Sequence, residues 1–194
     1  MRRAGLGFRV KTGYATAIVL SGPAADPEFL ARETVLLADL DNDDSRQPYH
    51  AALERGERVG AVVVRKARKD ATLRATAALE ELVQLAIRHG AKTRSIGLVV
   101  GSEIDPLRLG NLHVRAHAFE GQFYRQVLEH AATEAGLQRV VLLERETFAT
   151  AQRLLRRDAD RLKAVLASMG KPAGRPWRRE EHLATLAAWI ALAS

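Results

Sequence analysis

Residues 5–22, GLGFRVKTGYATAIVLSG, hold two apolar, β-branched pieces on either side of KTGY (11–14). Phe8 and Val10 precede the connection, and Tyr14, Ile18 and Val19 follow it. Gly13 can take the positive φ that a tight turn often needs, so the stretch predicts a β-hairpin. The next segment, SGPAADPE (21–28), is a turn cluster, and ARETVLLADL (31–40) reads as a third strand of the same antiparallel set. DNDDSRQP (41–48), crowded with acids and closed by a proline, reads as a solvated loop.

Beyond residue 49 the period changes. VGAVVV (59–64) fits a buried strand, but helical sequence flanks it and Val59, Val62, Val63 and Lys66 also fit a helical stripe, so helix is the reading here. Leu79, Leu82, Val83, Ala86 and Ile87 continue at helical spacing until HGAK (89–92) supplies a glycine stop. SIGLVVG (95–101) has the continuous apolar character of a strand covered on both faces. A loop, SEIDPLRLGN (102–111), leads to a helix that ends at AGLQ (135–138), and RVVLLE (139–144) is a further buried strand. Leu155, Asp158, Leu162, Val165 and Met169 then predict one long amphipathic helix, broken by GKPAGRP (170–176). A closing helix over 177–192 should bury Leu183, Leu186, Ala187 and Ile190. Three antiparallel strands followed by alternating helices and strands imply an α/β fold whose later strands pair in parallel through right-handed crossovers.

The chain has 194 residues, 47% of them hydrophobic and 27% charged, which fits one soluble globular domain over 1–194 with a helical elaboration at about 45–70. No stretch has the length of apolar sequence a bilayer span requires, and the N-terminus lacks the features of a signal peptide, so the expected location is cytoplasmic. The absence of cysteine excludes disulfides, thiolate metal sites and a Cys nucleophile. A net charge of +7 favours phosphate-rich partners such as DNA or RNA, although arginine-rich, GC-biased coding would give the same balance. Walker, GxGxxG, nucleophile-elbow and HExxH motifs are absent, which sets aside several large enzyme classes.

From Leu6 to Leu192 the order of elements resembles the ribonuclease H-like superfamily, and within it the RuvC-type Holliday junction resolvases. The segments that carry the resemblance are RVKTGYATAIV (9–19), LVVGSE (98–103), LGNLHVRAHAFEG (109–121) and EEHLATLAAWIAL (180–192). It implies a mixed five-stranded sheet, three antiparallel strands then parallel ones, flanked by helices. It also implies two-metal phosphodiester hydrolysis with Mg²⁺ held by carboxylates from the first strand, the fourth strand and the last helix. The fourth-strand acid falls nearest Glu103 and the last-helix acid on Glu181, with Glu180 adjacent. The first-strand acid has no counterpart: Leu6 to Gly13 contains neither Asp nor Glu, and Arg9 and Lys11 stand in its place. The resemblance thus implies the fold while speaking against Mg²⁺ and the usual reaction, as in a pseudoenzyme or a divergent nuclease.

HVRAHAFEG (113–121) offers a second source of chemistry. On a helix His113, His117, Glu120 and Tyr124 share one arc, and Ala116, Phe119, Phe123 and Val127 share another, which is the expected core face. The polar arc is either a solvated helix side or the wall of a cleft. The histidines match the i, i+4 spacing of helical zinc ligands, but the sequence shows no third ligand of evident position, so no metal is assigned. In the cleft reading Lys11, Glu103, His117, Glu120 and Glu181 converge, with His117 exchanging protons near neutral pH. Arg9, His113 and Arg115, with Lys11, would then contact phosphate.

GRPWRREEH (174–182) joins Trp177 to Arg178 and further arginines, a pattern that can stack a base and hold its phosphate, or simply cover the core. Gln47 and His50 in QPYHA (47–51) form a polar cluster whose simplest role is a helix start. Three functions stay open at this level: a nucleic-acid-binding protein, a non-catalytic and homodimeric interaction module, and an enzyme acting on a nucleotide or phosphorylated small molecule.

Overall fold

The computed structural model describes residues 1–194. Strands β1 (Arg2–Val10), β2 (Tyr14–Ser21) and β3 (Glu28–Leu36) are followed by helices α1 (Asp43–Arg46), α2 (Pro48–Arg55) and α3 (Glu57–Arg88). Then come β4 (Ala91–Val100), a 3₁₀ turn (Pro106–Arg108), α4 (Leu112–Glu134), β5 (Gln138–Leu143), α5 (Thr147–Leu155), α6 (Ala159–Ala173) and α7 (Arg179–Ala193). The sheet runs β3-β2-β1-β4-β5. β1 pairs antiparallel with β2 and β2 with β3, while β1–β4 and β4–β5 are parallel, so the expected mixed five-stranded α/β sheet is present. Gly13 turns the first hairpin at φ 84°, and its carbonyl accepts from the amides of Leu37 and Ala38 at 2.8 and 3.0 Å, which fastens the end of β3 to the turn.

Strand alternation divides β1 between two cores. Leu6, Phe8 and Val10 face α3 and α4 together with Ile96, Leu98, Phe123 and Val127. Gly5 and Gly7 face α7, whose backbone lies so close that an added Cβ at Gly7 would stand 2.0 Å from the Ala184 carbonyl oxygen. α7 is therefore covered by the sheet on one side and by α5 and α6 on the other. All residues from Leu183 to Leu192 are buried, more than the one-sided stripe the sequence suggested.

Three further departures are local. The 59–66 segment is helical as read, but Val59 and Val62 are exposed; α3 instead packs through Gly60, Ala67, Ala71, Ala75 and Leu79, mostly small residues that permit close approach. The long helix expected through Asp158 is two helices, because Arg156 adopts the left-handed conformation (φ 53°, ψ 48°) and the Asp158 side chain caps α6 by accepting from the Arg161 amide at 2.7 Å. The acidic loop contains the single turn α1.

α1 and α2 lean on α4. Tyr49 stacks on Phe119 with ring centroids 5.0 Å apart, and the Tyr124 hydroxyl lies 2.7 and 2.9 Å from the carbonyls of Ser45 and Arg46. This cover explains why Glu120 and Tyr124, on the arc assigned to solvent or a cleft, are completely buried. Burial, reinforced by the Glu120 charge, pushes the Tyr124 phenol far above its ordinary range.

Candidate functional site

The alternation that places Gly5 and Gly7 against α7 puts Arg9 on the same face, at the level where α7 begins. Arg9 is 4% exposed; its guanidinium donates to the Val10 carbonyl at 2.6 Å and pairs with Glu144, just beyond the end of β5. Glu144 also receives Arg179 at 3.1 Å, and Lys11 pairs with Glu180 at 3.0 Å. The result is a chain of alternating charge across the C-terminal edge of β1 and the start of α7. Burial lowers the Arg9 pKa, and the Glu144 charge opposes that shift.

Beside this network lies a cavity of about 220 Å³, lined in part by Arg9, Lys11, Thr12, Ser102 and His117. Of the residues singled out in the sequence, Arg9, Lys11 and His117 thus share one cleft. The others lie elsewhere. Glu103 is exposed and accepts from Arg125 at 2.9 Å. Glu181 is buried and turned back on its own helix, accepting from the Arg178 amide at 2.7 Å. Arg115 donates to the Leu109 carbonyl through Nε at 2.8 Å and braces the loop before α4. Trp177 donates to the Leu166 carbonyl at 2.9 Å and walls an apolar hollow of about 590 Å³ whose rim carries Lys163, Arg179 and His182. Arg178 is exposed at the start of α7. Glu144, Arg179 and Glu180 complete the network; the one signal for Glu144 was its place after the apolar run RVVLL, which reads as a buried strand but forms β5 at the edge of the sheet, with only Leu142 buried.

A second polar group sits where α2 meets α4. His50, His113 and His117 form a triangle with ring centroids 4.2, 4.5 and 4.7 Å apart. One ring nitrogen from each lies within 4.8 Å of the other two, compact enough for a single cation. Glu120 lies beneath the triangle. Its Oε1 is 2.8 Å from His50 Nδ1 and 3.3 Å from the His50 amide, and its Oε2 is 3.8 Å from His117 Nδ1. Desolvation lowers the His117 pKa, with repulsion from His50 and His113 adding to it and Glu120 opposing. His50 is the member that helical spacing could not find, because α2 supplies it from the segment read as a helix start.

No protein-family model matches the chain, and no curated protein matches it. Among solved structures, Thermus thermophilus RuvC superposes with a TM-score of 0.53 at 14% identity, covering 96% of this chain and 92% of the other. T. thermophilus RuvC in complex with Holliday junction substrate gives a TM-score of 0.49 at 15% identity, over 98% of this chain and 91% of the other. The first of these, with the observed strand order, establishes a ribonuclease H-like fold of the RuvC kind. No helix is long and apolar enough to cross a membrane.

Proposed function

We propose that this chain binds nucleic acid through phosphate contacts on its α5–α6 side and at the adjoining mouth of the cleft, and that the cleft is not a RuvC-type two-cation hydrolytic centre. The observation that carries the binding half is the placement of charge. Residues 145–179 contain ten Lys or Arg and three Asp or Glu, an excess equal to the net charge of the whole chain. Arg179, at the end of this run, pairs with Glu144, which in turn holds Arg9 at the edge of the cleft. A basic face of this kind attracts a polyanion by counterion release and long-range steering.

The cleft network supports the other half. Arg9 and Lys11 stand where the RuvC resemblance implies a first-strand carboxylate, and the acids nearest to them are already paired with cations. A divalent cation there would meet a buried guanidinium, at a cost on the order of several kcal/mol. Hard cations also need free oxygen ligands, and this network offers few.

The test is fluorescence anisotropy with labelled four-way junction, duplex and single-stranded DNA and with RNA, at two salt concentrations, with and without Mg²⁺. The expected result is affinity that falls steeply with salt and is weakened, never enhanced, by Mg²⁺, which competes for the same phosphates. Affinity unaffected by salt would sink the binding proposal. Mg²⁺-dependent cleavage of any of these substrates would overturn the statement about the cleft.

A further inference from the structure

The geometry points to a transition-metal site of the zinc class formed by His50, His113 and His117, with Glu120 holding His50 in its ligating orientation. This goes beyond the nucleic-acid reading and does not depend on it.

The ligand set arises from two elements. α4 presents His113 and His117 one turn apart, as in other helical pairs of imidazole ligands. α2 adds His50, held against α4 by the Tyr49–Phe119 stack and by the Tyr124 hydroxyl beneath α1. In a tetrahedral zinc site with Zn–N bonds of about 2.0–2.1 Å, ligand nitrogens lie about 3.4 Å apart. The observed nitrogens are all within 4.8 Å, so modest rotation of two exposed imidazoles closes the triangle.

The surroundings of His50 argue for a ligand rather than an ordinary polar contact. Its Nδ1 is engaged by Glu120, while its Nε2 is buried with no hydrogen-bond partner. A carboxylate bound to one imidazole nitrogen fixes the tautomer and leaves the other nitrogen's lone pair for a metal. Glu120 is itself completely buried, and its Oε2 has no hydrogen-bond partner. A buried carboxylate needs compensating charge, and a divalent cation among three neutral imidazoles supplies it.

The chemistry of the donors selects the metal. Imidazole nitrogens suit Zn²⁺, Cu²⁺, Ni²⁺ and Fe²⁺, whereas Mg²⁺ and Ca²⁺ require oxygen. Three protein ligands leave a fourth position. His113 and His117 are exposed, and His117 also lines the cleft that holds Arg9 and Lys11, so that position is open to water or to a phosphate oxygen.

The experiment is equilibrium dialysis of the chelator-treated 194-residue chain against Zn²⁺, with metal content measured by plasma emission, and Co²⁺ substitution followed by visible absorption. The expected result is one equivalent of Zn²⁺ and the strong absorption bands of tetrahedral Co²⁺. His113→Gln and His117→Gln change exposed side chains, so their circular dichroism should match the parent while bound zinc falls to background. Glu120→Gln should weaken binding by about 10- to 100-fold. A control carrying His89→Gln and His130→Gln, both at exposed positions away from the triangle, should keep its equivalent.

A folded parent that binds no Zn²⁺, or zinc retained in full by His113→Gln and His117→Gln, overturns the proposal. Anisotropy on the chelator-treated protein reads nucleic-acid binding separately, so either proposal can fail alone.

Discussion

His50 Nδ1, on α2, lies 2.8 Å from Oε1 of Glu120, in the middle of α4. The same oxygen is 3.3 Å from the His50 backbone amide, so one carboxylate holds both the side chain and the main chain of a helix seventy positions earlier in the sequence. The contact joins the α1–α2 cover to the sheet-packed body of the fold, and it accounts for a charged residue with no solvent exposure.

Glu120→Ala removes that tie. The amide of His50 is left without its acceptor, and hydrogen exchange measured by mass spectrometry should accelerate across α2 while the sheet stays protected. Unchanged protection in α2 would mean that the aromatic contacts of Tyr49 hold the helix unaided.

The Arg9–Glu144 pair is a buried ion pair with one partly exposed partner. Removing Glu144 alone leaves a guanidinium in the core, so Glu144→Ala should destabilise the fold by at least about 2 kcal/mol in urea unfolding. The double variant Arg9→Met with Glu144→Leu should recover most of that stability, since replacing both partners with apolar groups removes the desolvation penalty. Additive effects of the two changes would contradict this view of the network.

Gly7 and Gly121 make opposite predictions for the same substitution. Gly7→Ala sets a methyl group 2.0 Å from the Ala184 carbonyl oxygen and 2.2 Å from the Ala188 nitrogen, so α7 must move away from the sheet. The cost should be at least about 1–3 kcal/mol, the scale of overpacking. An alanine at Gly121, in α4 with nothing within 4 Å of its Cβ, should instead stabilise by about 0.5–1 kcal/mol. Thermal unfolding of the two variants should shift in opposite directions.

His182 gives the fold a pH dependence. Burial holds its pKa below the ordinary 6.5, opposed by Glu181; its ring lies 5.7 Å from Trp177, and Lys163 and Arg179 share its cavity. The unfolded chain therefore takes up a proton at a higher pH than the folded chain. The stability that this neutral histidine contributes is present above about pH 6.5 and declines as pH falls through the lower folded value. His182→Gln should flatten the stability profile in that window and leave it unchanged above it, as read from urea midpoints at several pH values.

Nucleic-acid affinity should follow the α5–α6 charge. Arg153→Gln, Arg161→Gln and Lys163→Gln change exposed cations. For each phosphate that such a change leaves unneutralised, the slope of log affinity against log salt should become shallower by about 1. Glutamine at exposed Arg2 and Arg3, at the opposite end of β1, should leave the slope as it was.

Much of the fold was legible in local sequence. The hairpin around Gly13, the continuous apolar runs of β4 and β5 and the helical period of α3 and α4 are statements about near neighbours, and the strand order with the RuvC comparison agrees with them. The misreadings have local causes too. Asp158 fits a heptad but serves as a helix cap, and Val59 fits a stripe that faces solvent because α3 packs through small residues instead.

The candidate sites were legible only in fragments. Arg9, Lys11, His113, His117 and Glu120 stood out by type and spacing, yet their partners Glu144, Glu180 and His50 come from distant elements. Periodicity reports which residues share a face of one helix or strand. It carries no information about what another element lays against that face. The mixed sheet and the positive charge on its first strand could be read from the order and type of residues alone, because strand alternation and residue type are local properties. That Glu144 neutralises this charge, and that a third histidine closes on the pair in α4, emerges from the packed fold, because those meetings depend on how the layers are juxtaposed.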